Sequence, residues 1–342
     1  MRFRRVIFRR VDAHDDADFS DWFEVFERAE LERDHGRHEG WLPQELRARA
    51  LDDAAPTLHH LYALLDEDVV VASAVLEVTR DDNLAWICGD LFVDPPKRRR
   101  GYGSIALRHL EATASQLGRS TLVLWVVEDG PEHGSGPNRA FAPRHGYEVF
   151  EENIIRELDW PRPDGELDRL ELTWAPKDTE YEIVTWSRTA PHAFVAGLAD
   201  LKAVMPIEVP DSGIAREEEK WDEHRYHLHE HRVDEMGRDL LVAAARHRAS
   251  GEVVGFSELT VSRERPGTAY QWDTLVLRAH RGHALGTLLK IATMRLLQEG
   301  QYPTTKIVTS NNSVNTAMIA VNEALGYYPS GGVVGWRKVL ST

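Results

Sequence analysis

The sequence predicts an α/β protein (of the α+β kind) with two similar domains, each a mixed, mostly antiparallel twisted sheet flanked by helices. Three observations predict this class. The chain has 342 residues, enough for two domains that each bury a core. In each half a glycine-containing turn follows a short apolar run and opens a helical segment. The two turns are in register, since Arg98 and Arg281 differ by 183 (281 − 98), and this spacing indicates an internal duplication.

The hydrophobic periodicity predicts the same element order, βααβββαβαβ, in both halves. In the first half we expect a strand near the N-terminus, helices at 15–33 and 43–51, strands at 58–65, 69–78 and 84–93, a helix at 105–117, a strand at 121–127, a loop at 128–137, a short helix ending near residue 146, and closing strands at 147–158. In the second half we expect a strand at 181–186, helices at 191–204 and 216–234, strands at 240–245, 253–261 and 271–277, a helix at 285–299, a strand at 306–309, a helix at 314–325, and final strands at 327–339.

Composition places a linker between the two halves. Residues 161–178 are rich in proline, and Leu170 and Leu172 alternate as though part of the segment docks as a strand. The predicted domains are therefore 1–160 and 179–342.

Charge and cysteine content restrict the class of partner. Lys and Arg total 41 against 56 Asp and Glu, a formal charge of −15, which argues against nucleic acid or an anionic membrane as the main partner. Cys88 is the only cysteine, so no intrachain disulfide can form. The basic N-terminus is not followed by the apolar core of a signal peptide, and no apolar run is long enough to cross a bilayer. We therefore expect a cytoplasmic protein.

The two glycine-containing turns are predicted phosphate cradles. Cradle 1 comprises Arg98, Arg99, Arg100, Gly101, Tyr102, Gly103 and Ser104, and cradle 2 comprises Arg281, Gly282, His283, Ala284, Leu285, Gly286 and Thr287. The first N–H groups of a helix lack intrahelical partners, and the helix dipole adds partial positive charge, so an anion is stabilised there. Arginine at the turn adds a positive guanidinium.

The chain resembles the GNAT superfamily of acyl-CoA-dependent N-acyltransferases. The resemblance rests on the strand, the Arg-x-x-Gly/Ala-x-Gly/Ala turn and the helix in both halves, and on Asn315, eleven residues before Gly326-Tyr327. It covers nearly the whole chain and implies a tandem protein, a monomer with an internal pseudo-dimer or a homodimer, that uses acetyl-CoA. By the resemblance, the cofactor lies along the two cradles and along Phe92, Val93, Leu275, Val276, Leu277, Asn315 and Asn322. Many family members have a tyrosine at the position of Asn322 that protonates the departing thiolate, and neither half keeps it.

An amine acceptor must lose a proton before it attacks a thioester, which requires a carboxylate or histidine in reach. Asp273, repeated as Asp90, and Glu258 are the candidate bases, with a structural role for each as the alternative. Tyr327 is a candidate proton donor, although a tyrosine there also suits a core. The histidines at 224, 227, 229 and 231 form no complete metal-binding pattern, so we predict no metal and expect them to line the acceptor site.

The predicted function is transfer of an acetyl group from acetyl-CoA to a small-molecule amine by direct attack, with the chemistry in the C-terminal half. That half keeps Asn311, Asn315 and an uninterrupted helix, whereas Gly134, Gly136 and Pro137 interrupt the equivalent segment of the first half. Two alternatives stay open. One is a mycothiol-synthase-like enzyme that acts on a cysteinyl sugar, and the other is a catalytically silent acyl-CoA sensor or scaffold, because the tyrosine is missing.

Overall fold

The structure is a computed structural model, and it describes residues 6–33, 40–129, 137–175, 180–209 and 213–340. The chain divides into two compact units. The N-terminal unit contains Met1–Glu152 and Val333–Thr342, and the C-terminal unit contains Asn153–Gly332. The predicted loop at 128–137 lies largely outside the described residues.

The first half of the chain follows the predicted element order. Its elements are β1 (Val6–Arg10), α1 (Asp16–Arg33), α2 (Pro43–Leu51), β2 (Thr57–Asp66), β3 (Val69–Thr79), β4 (Trp86–Val93), α3 (Tyr102–Gln116), β5 (Thr121–Asp129), α4 (Pro137–Arg144) and β6 (Glu148–Asp159). A short 3₁₀ turn, Pro95–Lys97, connects β4 to cradle 1. Strands β1 to β4 pair antiparallel in sequence order, whereas β4 pairs with β5 in parallel.

The second half repeats this order after one additional helix. Its elements are α5 (Glu166–Trp174), β7 (Tyr181–Ser187), α6 (His192–Glu208), α7 (Glu223–Glu235), β8 (Arg238–His247), β9 (Val253–Ser262), β10 (Thr268–Val276), α8 (Leu285–Glu299), β11 (Lys306–Asn312), α9 (Thr316–Ala324) and β12 (Tyr328–Val339). The 3₁₀ turn Arg278–His280 precedes cradle 2. Helix α6 packs one apolar face, including Phe194, Leu198 and Leu201, against β8 and β9.

Strands β10 and β11 separate soon after they meet. They pair in parallel only between Thr268–Tyr270 and Lys306–Val308. Beyond Tyr270, the hydroxyl of Thr309 donates to the carbonyl oxygen of Gln271 at 3.2 Å. The C-terminal half of β10 is therefore paired with β9 on one side and open on the other.

Each unit includes part of the last strand of the other half of the sequence. Residues 153–159 of β6 belong to the C-terminal unit, where they pair antiparallel with β11. Residues 333–339 of β12 belong to the N-terminal unit, next to β5, and Val334, Trp336 and Leu340 enter its core. The predicted domains, 1–160 and 179–342, follow the sequence repeat and stay a prediction. The two packing units have different boundaries.

Two predicted elements are wrong in detail. Part of the predicted linker is helix α5 and not a strand, because Leu167 and Leu170 bury one helical face, whereas Leu172 is 80% exposed. The charged helix predicted at 216–234 begins only at Glu223, because the Asp222 carboxylate accepts a hydrogen bond from Arg225 N at 2.7 Å and caps it.

Candidate active site

The two cradles have the same backbone conformation. Gly101 and Ala284 both adopt the left-handed conformation, with φ of 89° and 57°, immediately before α3 and α8. In α8 the first intrahelical hydrogen bond joins Leu288 N to Ala284 O at 3.1 Å. The N–H groups of Leu285, Gly286 and Thr287 precede it and suit an anionic ligand.

The cradle arginines are bound to the protein itself. Arg281 Nε donates to the carbonyl oxygen of Val276 at 3.0 Å, and Arg98 Nε donates to the carbonyl oxygen of Val93 at 3.2 Å. Each guanidinium also contacts a glutamate in the last turn of the unit's first long helix: Arg281 is 2.7 Å from Glu208, and Arg98 is 2.5 Å from a carboxylate oxygen of Glu32. The arginines therefore stabilise the backbone of the turns. In this conformation the helix N-terminus is the principal anion site.

A β-bulge interrupts β10, the strand that precedes cradle 2 in the chain. Gln271 pairs with Leu259 and Thr274 pairs with Ser257, so Trp272 and Asp273 both lie opposite Glu258. A bulge leaves an extra residue outside the ladder and redirects its side chain. Asp273 therefore projects beside Glu258. The spacing of these two residues in the sequence does not predict this proximity.

Lys202 of α6 joins these two carboxylates. Its Nζ donates to Glu258 Oε2 and to Asp273 Oδ2, both at 2.7 Å. Lys202 and Glu258 are fully buried, whereas the Asp273 side chain is 41% exposed. Asp273 therefore reaches solvent, and Glu258 does not.

The ionisation of this cluster follows from its geometry. Burial disfavours the charged form of Glu258, but the Lys202 ammonium outweighs it, with a further contribution from His229, and the pKa of Glu258 is lowered to about 2. Burial likewise opposes the Lys202 ammonium, but Asp273 and Glu258 together raise the pKa of Lys202. Glu258 is thus a fixed anion and a weak base, which favours the structural alternative for this residue.

His229 of α7 lies on the other side of Glu258. Its Nε2 is 3.4 Å from Glu258 Oε1, and its side chain is 16% exposed. Three aromatic rings surround the imidazole, with centroid distances of 6.1 Å to Trp221, 6.1 Å to Tyr226 and 6.4 Å to Trp272. The bulge thus brings Trp272 to His229 and Asp273 to Lys202.

Asn315 and Asn322 have internal partners. The Asn315 side chain caps α9 by accepting from Met318 N at 3.1 Å. Asn322 is fully buried, accepts from Lys290 Nζ at 2.7 Å and donates to Asn311 Oδ1 at 3.0 Å. These contacts favour structural roles, and a role for either asparagine at the cofactor stays a prediction.

Tyr327 is a core residue in this structure. Its ring packs with Leu158, Leu325 and Ile307, and the Lys290 ammonium lies 5.4 Å from the ring centroid. Burial raises its pKa, and its hydroxyl has no hydrogen-bond partner in the described part of the chain. Its catalytic assignment stays a prediction, and its position favours the packing alternative.

Sequence reasoning missed Lys202, Trp221 and Trp272. The available signal for Lys202 was a lysine within the largely apolar stretch of α6, Phe194–Met205, in which Asp200 is the only other charged residue. A lysine on the buried face of a helix requires an anionic partner. Trp272 could not be placed, because a strand without the bulge would point adjacent side chains to opposite faces.

The N-terminal unit lacks the bulge. Its β4 pairs with β3 without a register shift, from Glu77 opposite Cys88 to Ala72 opposite Val93. Asp90, the repeat of Asp273, has no hydrogen-bond or ion-pair partner among the residues that the structure describes. Partial burial, followed by the charges of Glu77 and Glu30, raises the pKa of Asp90 to about 7.

The geometry of both units agrees with one protein family. The model of the acetyltransferase (GNAT) family matches the chain twice, at residues 18–147 and 201–327. The chain belongs to the GNAT acetyltransferase family. The prediction from the cradle motif and its repeat is therefore confirmed, as are the two-domain mixed fold and the acyltransferase class. No curated protein sequence matches this GNAT chain.

Solved structures support the tandem GNAT arrangement. A tandem GNAT protein from the clavulanic acid biosynthesis pathway, solved without AcCoA, is 25% identical, with a TM-score of 0.77 and 99% of both chains covered. A GCN5-related N-acetyltransferase from Sphaerobacter thermophilus shares the fold at 14% identity, with a TM-score of 0.67, covering 98% of this chain and 96% of that one.

The described residues contain no helix long and apolar enough to cross a membrane. They also contain no group of three or more His, Cys, Asp or Glu residues that could hold a metal ion. Two of the clustered histidines lie beside carboxylates instead: His227 is 2.8 Å from Glu230, and His231 is 3.4 Å from Glu235.

Proposed function

We propose that this GNAT protein transfers an acetyl group from acetyl-CoA to the primary amine of a small molecule, and that the C-terminal unit performs the reaction. The observation that carries the proposal is the bulge in β10, the strand that leads to cradle 2, which brings Asp273 to the buried Lys202–Glu258 pair. The N-terminal unit has an equivalent cradle but a regular strand.

Acetyl-CoA fits the arrangement of cradle 2 and the free side of β10. The N–H groups of Leu285, Gly286 and Thr287 would bind the pyrophosphate, and a side-chain-sized space is open at Gly286, where an added Cβ would approach only Val321, at 3.8 Å. The backbone of Leu275–Leu277 would pair with the pantetheine arm. Unpaired amides at the bulge would donate to the thioester oxygen as negative charge develops on it.

In the reaction, the amine nitrogen attacks the thioester carbonyl carbon and forms a tetrahedral intermediate. Collapse of this intermediate breaks the carbon–sulfur bond and leaves an amide and the CoA thiolate. The proton lost by the amine balances the proton that the thiolate gains. Asp273, partly exposed and in contact with Lys202, would attract the ammonium form of the acceptor to this position.

The tandem relative comes from a small-molecule biosynthesis pathway, and this supports a small-molecule acceptor for the present chain. The bulge favours an active transferase over a silent sensor, because a binding protein has no need of oxyanion donors. No contact in the described site favours a cysteinyl sugar over other amines.

The test is a screen of acetyl-CoA with a panel of primary amines (putrescine, glycinamide and glucosamine), with thiol release and the mass of the product as readouts. We expect amine-dependent thiol release that Gly286→Glu abolishes. Saturable acetyl-CoA binding without thiol release from any amine would overturn the transferase proposal and support the sensor.

A further inference from the structure

We propose that His229 is the general base of the C-terminal unit, oriented by Glu258, which Lys202 holds in place. This inference rests on the proposed function and adds a catalytic residue to it. It begins with three buried polar atoms that have no hydrogen-bond partner among the described residues: Glu258 Oε1, His229 Nε2 and Tyr226 Oη.

Unsatisfied buried polar atoms are uncommon, and several in one place require an explanation. The Glu258 oxygen and the His229 nitrogen are 3.4 Å apart, slightly beyond hydrogen-bond distance. Catalytic hydrogen bonds are often long without substrate and shorten in the complex. A small approach of the α7 side chain would give Nε2–H an acceptor in Glu258 Oε1.

This approach defines the tautomer of the imidazole. Glu258 is a fixed anion, since Lys202 Nζ contacts its other oxygen at 2.7 Å. An anionic acceptor keeps the proton on Nε2, so the opposite nitrogen, Nδ1, carries the lone pair. Nδ1 has no hydrogen-bond partner among the described residues, and the ring is 16% exposed. The arrangement is a carboxylate, an oriented imidazole and an open basic nitrogen.

The surroundings of His229 suit an ammonium acceptor. The rings of Trp221 and Trp272 present electron-rich faces, and Trp272 belongs to the bulge at the proposed thioester position. The titratable groups that contact the imidazole are Glu258 from β9 and Tyr226 from α7. Glu258 shares Lys202 of α6 with Asp273 of the bulge, and Arg225 of α7 pairs with Glu219 and lies over the Trp221 ring. Within the cluster of Lys202, Glu258 and Asp273, the lysine neutralises one carboxylate, so one net negative charge remains to attract the cation.

The proposed step transfers one proton. The acceptor ammonium gives its proton to His229 Nδ1, and the freed lone pair attacks the thioester carbon. The imidazolium that forms is stabilised by Glu258 and returns its proton to solvent, while the second proton of the amine nitrogen, lost as the intermediate collapses, balances the proton that the thiolate gains. Asp273, which keeps an exposed oxygen, binds the ammonium before this transfer, and Glu258 acts only through His229.

The experiment compares His229→Gln with His192→Gln, a control at the exposed first residue of helix α6. The acceptor is the amine of the panel that the wild type acetylates fastest, and hydroxylamine, which is already neutral at pH 7, is a second acceptor that needs no base. We expect His229→Gln to lower kcat/KM for the alkyl amine by about 10²–10⁴-fold. The hydroxylamine rate and calorimetric acetyl-CoA binding should stay at the wild-type level, as should every rate of His192→Gln.

The pH profile provides a second readout. The pH profiles of wild type and His229→Gln should differ in shape with the alkyl amine and should coincide with hydroxylamine. An unchanged alkyl-amine rate in His229→Gln, or an equal loss with hydroxylamine, would overturn the inference while leaving the transferase function in place. A wild type that binds acetyl-CoA but acetylates no amine would instead overturn the proposed function.

Discussion

The guanidinium of Arg281 contacts the Glu208 carboxylate at 2.7 Å, so the last turn of α6 contributes an anion at the edge of cradle 2. A CoA pyrophosphate would compete with this carboxylate for the same cation. Glu208→Gln should therefore tighten acetyl-CoA binding, by about two- to fivefold, because a partly exposed ion pair contributes only about 0.2–1 kcal/mol. Calorimetric titration measures the change.

Glu32→Gln, at the equivalent contact with Arg98, is the matched control. It should leave the affinity unchanged if the cofactor binds in the C-terminal unit. A tighter affinity in Glu32→Gln alone would assign the binding site to the N-terminal unit.

Gly286→Glu should abolish acetyl-CoA binding and leave the thermal unfolding temperature close to that of the wild type. At this position an added Cβ meets only Val321, at 3.8 Å, so the fold tolerates a side chain, while the new carboxylate repels the pyrophosphate. Gly286→Ala is the control for size.

At Gly103 an added Cβ meets the Phe141 ring at 3.3 Å and Val93 at 3.4 Å, so Gly103→Ala should lower the unfolding temperature of the N-terminal unit.

Lys202→Met should lower the free energy of unfolding by about 3–5 kcal/mol at neutral pH, because it leaves the Glu258 carboxylate buried without its cation. The pKa of Glu258 in the folded wild type is about 2, below its ordinary value of 4.5. The stability that this shift contributes is present above pH 4.5 and is lost as the pH falls toward 2. The difference between wild type and variant should shrink over that window in urea titrations.

The double variant Lys202→Met with Glu258→Met should recover much of the stability, since apolar residues can replace a buried ion pair. A double variant less stable than Lys202→Met alone would show that Glu258 has favourable partners other than the lysine.

Lys290 gives a pH dependence of the same sign in a higher pH window. Burial lowers its pKa to about 7 from 10.5, so between these values the unfolded chain binds a proton that the folded chain lacks. This residue should therefore contribute increasing stability as the pH rises from 7 to 10.5, with a slope of at most about 1.4 kcal/mol per pH unit. Lys290→Met should remove that component from the pH profile of the unfolding free energy. Identical profiles for the two proteins would contradict the assignment.

The sequence predicts the cradles well because their signal is local. The offset of 183 recurs in the structure at the starts of α3 and α8 (285 − 102) and at their ends (299 − 116). Helix N-termini after a glycine turn depend on a few adjacent residues, which a single sequence displays directly.

The geometry of the candidate catalytic residues was harder to predict, because it depends on contacts between distant segments. Asp273 and Glu258 could be named as acids on strands, but their shared cation, Lys202, comes from a helix 56 residues before Glu258. The pKa of Glu258 depends on this contact: burial alone would raise it, whereas the lysine lowers it. Helix α5 was missed for a related reason, since the prolines that flank it dominated the local composition.

The placement of Val333–Thr342 in the N-terminal unit has a consequence for synthesis of the chain. A ribosome that has translated the first 160 residues has not yet made Trp336 and Leu340, which fill part of that unit's core. The core of the N-terminal unit can therefore be completed only after the C-terminal unit has been translated. A gene fragment cut between the two sequence repeats would encode a unit with an open core, whereas a fragment for residues 1–152 supplied with a peptide of residues 333–342 would contain every part.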